Sequence, residues 1–261
     1  LAKNQSGTQS IERTVELLRA LGTRRNIGWR LTDLAAYCKL NHSTVHRIMT
    51  CLAQLRLVRQ RAHDRRYVPG PMLYEFSLAM PAYSRLQMAC HRNLTRVARK
   101  TGWTAFLYLR SDQESVCIDR VEGRAKHVSF NDIGSRHPLA GSAPGIAMLL
   151  VMPEKEQQAL LQENWKQILK NAAHRNRAYT RMWQRSQQFG LGFNRGDIVD
   201  GMGSIGVAIR DSKGQPVAAL GLSGPLIEWD EDRITETMAM LREEGLRMER
   251  ENEALIAEIS G

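Results

Sequence analysis

The chain has 261 residues, 43% of them apolar, and its 37 Lys/Arg against 27 Asp/Glu give a formal net charge of +10. That length is comfortable for two domains, while the absence of a secretory start and of any apolar run near the roughly 20 residues of a membrane span leads us to expect a cytoplasmic protein. Residues 1–80 carry thirteen Lys/Arg and five Asp/Glu, a net of +8, and residues 81–261 carry twenty-four and twenty-two, a net of +2; charge gathered at one end is the footprint of a nucleic-acid-binding module joined to a near-neutral one.

Residues 1–9 are polar and read as a loose arm. Over 10–21, Ile11, Val15, Leu17, Leu18 and Leu21 recur at helical spacing, with Ser10 as cap. Turn residues in 23–30 break that helix, and 31–38 gives a short one, capped by Thr32, with Leu34, Ala35 and Cys38 inward. The stretch 41–58 organises the N-terminal part. Val45, Ile48, Met49, Leu52 and Leu55 make one buried helix face, and Asn41 stands where a cap is needed. The other face offers Ser43, Thr44, His46, Arg47 and Thr50, all able to bond phosphates or base edges and none acidic. Such a helix suits the major groove of DNA, although an ordinary amphipathic surface helix has the same periodicity. A hairpin expected over 57–68, carrying Arg59, Arg61, Arg65 and Arg66, reads as a basic wing lying on phosphates. Short helix, tight turn, polar helix and basic hairpin together predict a winged helix-turn-helix.

Residues 71–80 form a short apolar helix stopped by Pro81, and 83–100 a longer one through Leu86, Cys90, Leu94 and Val97. Strands are expected over 104–109, 115–121 and 128–130. In 134–150, small residues open a helix; they would let a ligand approach backbone N–H groups, or would serve a close helix–sheet crossing. Polar amphipathic helices follow over 153–163 and 177–189, with the basic stretch between them uninformative. Residues 204–210 and 217–222 alternate as two strands around the 211–214 turn, and the chain is helical from Trp229 onward.

No G-x-S-x-G elbow, phosphate-binding loop or H-E-x-x-H is present, and the scattered Cys38, Cys51, Cys90 and Cys117 lack a C-x-x-C pair, so no disulfide framework is indicated. His42 and His46 have metal-ligand spacing without a carboxylate or thiol nearby, and Asp197 and Asp200 read as solvated or capping acids rather than an acid/base pair. Neither a metal nor a cofactor is expected.

These residues resemble the IclR family of bacterial transcriptional regulators over nearly the whole chain. The family's S-T-v-h-R-l run appears as Ser43-Thr44-Val45-His46-Arg47-Ile48, and its wing ending Y-x-l-G as Tyr67-Val68-Pro69-Gly70. Arg56 and Lys39 stand where the family commonly has Gly. The segment G-x-x-x-P-L-x-x-T-A-x-G-K-A is matched at Gly134, Pro138, Leu139, Ala143, Gly145 and Ala147, with Ser142 for Thr and Ile146 for Lys. In 190–201, Asp197 keeps the second acidic position and Gly196 replaces the first; Ser204 replaces a frequent Cys, and Gly224-Pro225 ends the last strand as in the family.

The resemblance implies an α+β chain: an arm over 1–9, a winged helix-turn-helix over 10–70, a linker helix over 71–81, and a GAF-like α/β effector-binding and oligomerisation domain over 82–261. It implies contacts to double-stranded operator DNA through Thr32, Ser43, Thr44, His46, Arg47, Arg59, Arg61, Arg65 and Arg66, made by a homodimer or tetramer, with no membrane partner. The implied effector site comprises His137, Leu139, Gly141, Ser142, Ala143, Asn194, Asp197, Ser204 and Ser223. Their donors, with a helix N-terminus, favour a small organic carboxylic acid; room and reduced negative charge at Gly196, Ser204 and Gly221 favour a larger acid, aromatic ones included, over a very small one. The alternative is a small-molecule enzyme with its active site in the C-terminal domain.

Overall fold

The computed structural model describes residues 8–24, 27–124 and 131–260, the side chains of 171–173 apart. Residues 1–7 of the expected arm and the expected strand at 128–130 lie outside that set. Contacts divide the chain into two units, Leu1–Pro81 and Ala82–Gly261.

In the first unit, α1 (Gln9–Gly22), α2 (Leu31–Tyr37) and α3 (His42–Gln54) pack around Leu17, Leu21, Leu34, Val45 and Met49, each nearly or wholly excluded from solvent. Trp29 closes this core: its indole N–H donates to the Ala20 carbonyl at 2.9 Å, and its backbone forms an antiparallel bridge with Tyr67. Three capping expectations fail. Helix α1 already begins at Gln9, after Thr8, so Ser10 lies inside its first turn. The residue before α2 is Arg30, so Thr32 lies inside the first turn, exposed, with its hydroxyl 3.5 Å from Asp33 Oδ1. Asn41 does precede α3, in extended conformation, but its side chain forms no capping bond.

Both departures from glycine adopt the conformation glycine would favour. Lys39 (φ 53°) and Arg56 (φ 60°) are left-handed. Each ends its helix with the same pair of reverse bonds: Lys39 N–H to Ala36 O and Leu40 N–H to Ala35 O, then Arg56 N–H to Ala53 O and Leu57 N–H to Leu52 O. The side chains cost roughly 1 kcal/mol each relative to Gly without altering the turn. The wing, β1 (Val58–Gln60) paired antiparallel with β2 (Tyr67–Pro69), ends at Gly70, where a Cβ would lie 2.2 Å from the Arg56 carbonyl oxygen. Helix α4 (Pro71–Ser77) follows, shorter than expected.

The second unit opens with α5 (Pro81–Thr101); Pro81 starts this helix, because its fixed φ suits a first turn. Among the described residues, six strands form one antiparallel sheet: β3 (Thr104–Ser111), β4 (Glu114–Val121), β5 (Arg136–Pro138), β6 (Gly192–Arg195), β7 (Met202–Arg210) and β8 (Pro216–Pro225), in the order β5-β4-β3-β8-β7-β6. Strands β5 and β6 fall in stretches read from sequence as motif and loop; at three and four residues they are too short to show alternation. One face of the sheet buries Leu107, Ile205, Val207, Leu220 and Leu222 with Leu94 and Val97 of α5 and with Met238, Leu241 and Met248 of α9 (Glu231–Glu251), which α10 (Glu253–Ser260) follows. The other carries α6 (Ala143–Leu150), α7 (Glu154–Ala172) and α8 (Asn176–Phe189). Helix α7 runs into the basic stretch whose pattern is uninformative, anchored there by Ile168 in a core with Leu139, Met148 and Leu149.

Register explains how α6 sits so close to the sheet. Gly192, Gly206 and Gly221 are direct cross-strand partners on β6, β7 and β8. A Cβ on them would meet the Ala143 carbonyl oxygen at 1.7 Å, Pro144 Cα at 2.5 Å and Pro144 Cγ at 2.7 Å, respectively. The start of α6 therefore lies directly on a row of glycines.

Candidate functional site

One register step beyond that row, on the same face, lie Asn194, Ser204, Ser223 and Thr104, again mutual cross-strand partners on β6, β7, β8 and β3. The first three face a cavity of about 800 Å³, roofed by Gly141, Ser142 and Ala143. Phe106 and Tyr108, next along the cavity face of β3, form its aromatic wall, and Tyr179 and Met182 of α8 line it from above. Of the residues expected at the effector site, His137, Gly141, Ser142, Ala143, Asn194, Asp197, Ser204 and Ser223 all line this cavity. Leu139 does not: the 3-10 turn Leu139–Gly141 turns it into the core beneath α6 and α7, fully buried. Gly196 and Gly221 do not supply room either. A Cβ at Gly196, which is left-handed at φ 79°, would lie 2.6 Å from Leu226 Cδ1, and the position above Gly221 is filled by Pro144.

Several polar groups are already committed. Ser142 Oγ accepts the Gly145 N–H at 3.2 Å, capping α6, and the Ile146 N–H goes to the Ser142 carbonyl. With Pro144 lacking a donor, the Ala143 N–H remains from the first turn, so this helix start is a weaker anion site than its glycines imply. Ser223 Oγ–H donates to the Gly203 carbonyl at 3.0 Å, and Asn194 Oδ1 accepts the Asp197 N–H at 2.9 Å, leaving the Asn194 amide N–H groups to face inward. The Ser204 hydroxyl has no protein partner among the described residues. Arg175, whose Nη1 donates to the Ile198 carbonyl at 3.3 Å, brings a positive charge to the cavity mouth.

Asp197 is held by the fold. Its side chain is 4% exposed, takes a hydrogen bond from Arg181 Nε at 3.2 Å and a shorter one from Arg185, and also accepts the Arg195 N–H at 3.2 Å. Burial alone would raise its pKa, but the Arg185 and Arg195 hydrogen bonds and the neighbouring positive charge outweigh that, and the carboxyl titrates below its ordinary value. The charge is thus neutralised within the protein rather than presented to a ligand. Because the folded-state pKa is depressed, the associated stability is complete above the unfolded value of about 3.9 and is lost as pH falls through the folded one. Asp197→Asn is expected to cost about 2 kcal/mol at neutral pH. In urea titrations that gap should close progressively below pH 4; a gap independent of pH would refute the assignment.

At the other end of the cavity, His137 Nε2 lies 2.9 Å from Asn131 Oδ1, and the buried Tyr108 hydroxyl also bonds Asn131. Burial lowers the His137 pKa, with Glu114 opposing, so the imidazole is neutral at pH 7. This end is polar and uncharged.

In the first unit, Ser43, His46 and Arg47 are exposed on α3 and Thr44 is half-buried. The wing arginines divide into two kinds. Arg59 and Arg65 are exposed, and neither side chain has a protein partner among the described residues. Arg61 instead pairs with Asp64 at 2.7 Å and donates to the Ile27 carbonyl, while Arg66 donates to the Gly28 carbonyl at 3.2 Å beside the same aspartate. Expected as equals on phosphate, Arg61 and Arg66 are tied to the loop before α2.

A winged helix-turn-helix joined to an α/β unit with a polar-floored cavity defines a ligand-responsive DNA-binding regulator. The description "IclR helix-turn-helix domain" matches residues 10–62, and "Bacterial transcriptional regulator IclR C-terminal" matches 83–250. The chain belongs to the IclR family of bacterial transcriptional regulators, and its homologues are regulators rather than enzymes. It is 24% identical over 242 residues to the HTH-type transcriptional regulator KdgR of Escherichia coli, covering 92% of this chain and 91% of that one. The Thermotoga maritima IclR structure is 25% identical with a TM-score of 0.62, covering 94% and 98%. An IclR homolog from Microbacterium hydrocarbonoxydans, solved in complex with 4-hydroxybenzoate, has the same fold at 19% identity and a TM-score of 0.68, covering 95% and 99%. Among the described residues no helix is long and apolar enough to cross a membrane.

Proposed function

We propose that this regulator binds operator DNA through α3 and the free wing arginines, and that a small aromatic carboxylic acid in the cavity controls that binding. Residues 10–70 carry the DNA contacts, 71–81 the linker, and 82–261 the effector site. Self-association is part of this reading, and the large apolar side chains that the first unit leaves exposed support it: Ile11 (63%), Tyr74 (69%) and Leu78 (62%).

The observation that carries the effector class is the Asn194–Ser204–Ser223 row beneath Ser142 and Ala143, with Phe106 and Tyr108 alongside. Free donors at Ser204, Asn194 and Ala143, with Arg175 at the mouth, suit a carboxylate; the aromatic wall and the neutral His137 end suit a ring. The volume lies high in the roughly 300–1,000 Å³ range of small-molecule sites, more than a two-carbon acid fills. The 4-hydroxybenzoate of the Microbacterium protein belongs to the same chemical class. A thermal-shift screen of aromatic and aliphatic acids tests the reading. At a hundred times its dissociation constant, a ligand stabilises by about 2.7 kcal/mol, a rise of roughly 5–10 °C for a unit of this size. Aromatic acids should produce it and Ser204→Ala should diminish it. Preferential stabilisation by amines or sugars, or a shift unchanged in Ser204→Ala, would refute the carboxylate site.

A further inference from the structure

The second unit has a net charge of only +2 over residues 81–261, yet one face of α5 gathers Arg92, Arg96, Arg99 and Lys100, at i, i+4, i+7 and i+8. These four line a groove of about 820 Å³ between α5 and the α9–α10 junction, with Ala89, Thr95, Glu251, Asn252 and Leu255. The acids that might neutralise the groove are partly engaged below it. Glu244 accepts Asn93 Nδ2 at 2.8 Å and Arg96 Nε at 3.2 Å, and Glu251 accepts Asn93 Nδ2 at 3.2 Å. Arg92, Arg99 and Lys100 form no hydrogen bond or ion pair with any described residue, and all three are exposed. Favourable interaction with the α5 C-terminus accounts for Arg99 and Lys100 in the last turn, but not for Arg92 two turns earlier.

We propose that this groove is a second ligand site, separate from the effector cavity, and that it binds a small organic phosphate carrying several negative charges. Three unpaired cations around a concavity exceed what a monocarboxylate needs, and the four positions span about 12 Å of helix, the reach of a short phosphate chain. Leu255 and Ala89 supply an apolar patch for the organic part. A groove of metabolite size with charge focused inside it favours a compact anion over a nucleic-acid backbone, which is met by charge spread along an extended stripe.

The test is isothermal titration of the full chain with ATP and with inorganic tripolyphosphate at physiological ionic strength. Saturable binding of one ATP per chain is expected, weakened about tenfold or more in R92E/R99E, largely regained in R92K/R99K, and unchanged in Ser204→Ala and Arg47→Ala. Melting curves of the variants, read beside the titrations, separate loss of the site from loss of the fold. Absence of saturable binding, equal affinity in R92E/R99E, or loss in Arg47→Ala would each overturn the proposal. So would R92E/R99E lowering affinity for random duplex DNA while leaving ATP binding intact, which would make the face a nucleic-acid surface.

Discussion

Gly192→Ala is expected to destabilise the second unit by at least about 3 kcal/mol, a larger penalty than its single methyl would carry elsewhere in the sheet. The new Cβ would lie 1.7 Å from the Ala143 carbonyl oxygen and 2.5 Å from the carbonyl carbon. These are backbone atoms, so no side-chain rotation relieves the clash. Either β6 leaves β7 or the start of α6 lifts from the sheet, and overpacking of this kind costs about 1–3 kcal/mol even where side chains can yield. At roughly 2–4 °C per kcal/mol for a unit of this size, the melting temperature should fall by about 6–12 °C. Gly141→Ala is the control. Its Cβ would meet nothing closer than Pro138 Cδ at 3.6 Å, so stability should hold within about 0.5 kcal/mol although Gly141 lines the cavity. Equal losses in the two variants, measured by urea unfolding, would show that the glycine row does not set the height of α6.

That row marks the limit of what the sequence discloses. Residues 192, 206 and 221 carry no common motif and become neighbours only through strand register. The question left open by the small residues of 134–150, ligand approach or close packing, is answered in part by geometry: Gly145 packs on the Leu139 backbone, with 2.2 Å from its Cβ position to that carbonyl oxygen, whereas Gly141 has space above it. Glycine at 196 and 221 reads as added room, but Leu226 and Pro144 occupy the space concerned. Composition reports volume removed at one position and says nothing of what enters from another.

Legibility elsewhere followed the physics of each element. Helices α1, α3 and α5 each bury one side against one core, so period alone locates them, although Ile11 and Val15 of α1 and Leu55, just past the end of α3, are left exposed; the alternation of β7 and β8 is equally plain. Phe106 and Tyr108 sat in a correctly expected strand, but only the β3–β8 register puts them beside Gly221 and Ala219 on the cavity face. The resemblance puts Asp197 in the effector site. The signal that it is paired was present in Arg181 and Arg185, one helical turn apart on α8, yet nothing local in sequence shows that α8 lies over that loop. Charge patterning gave the basic wing and could not divide it, since Arg61 and Arg66 differ from Arg59 and Arg65 only in reaching Asp64 and the loop carbonyls.

Arg47→Ala should weaken binding to the operator about five- to 150-fold per half-site, because one good bidentate base contact is worth ~1–3 kcal/mol. Arg47 is exposed on α3 with no protein partner among the described residues, so its removal leaves no buried group unsatisfied and folding should be unchanged. Two chains meeting a two-fold site would lose the contact twice, and titration with labelled operator should saturate at two chains per site. The wing provides the internal comparison. Arg59→Ala and Arg65→Ala remove free cations; each should lower affinity for operator and random DNA in similar proportion and reduce the salt slope by about one unit. Arg66→Ala should act chiefly through the wing itself, since Arg66 holds the Gly28 carbonyl. If Arg47→Ala instead behaves like the wing variants, losing affinity equally for every sequence, Arg47 touches phosphate and the base reading falls to Ser43 and His46. If it changes neither affinity nor specificity, α3 is not the recognition helix.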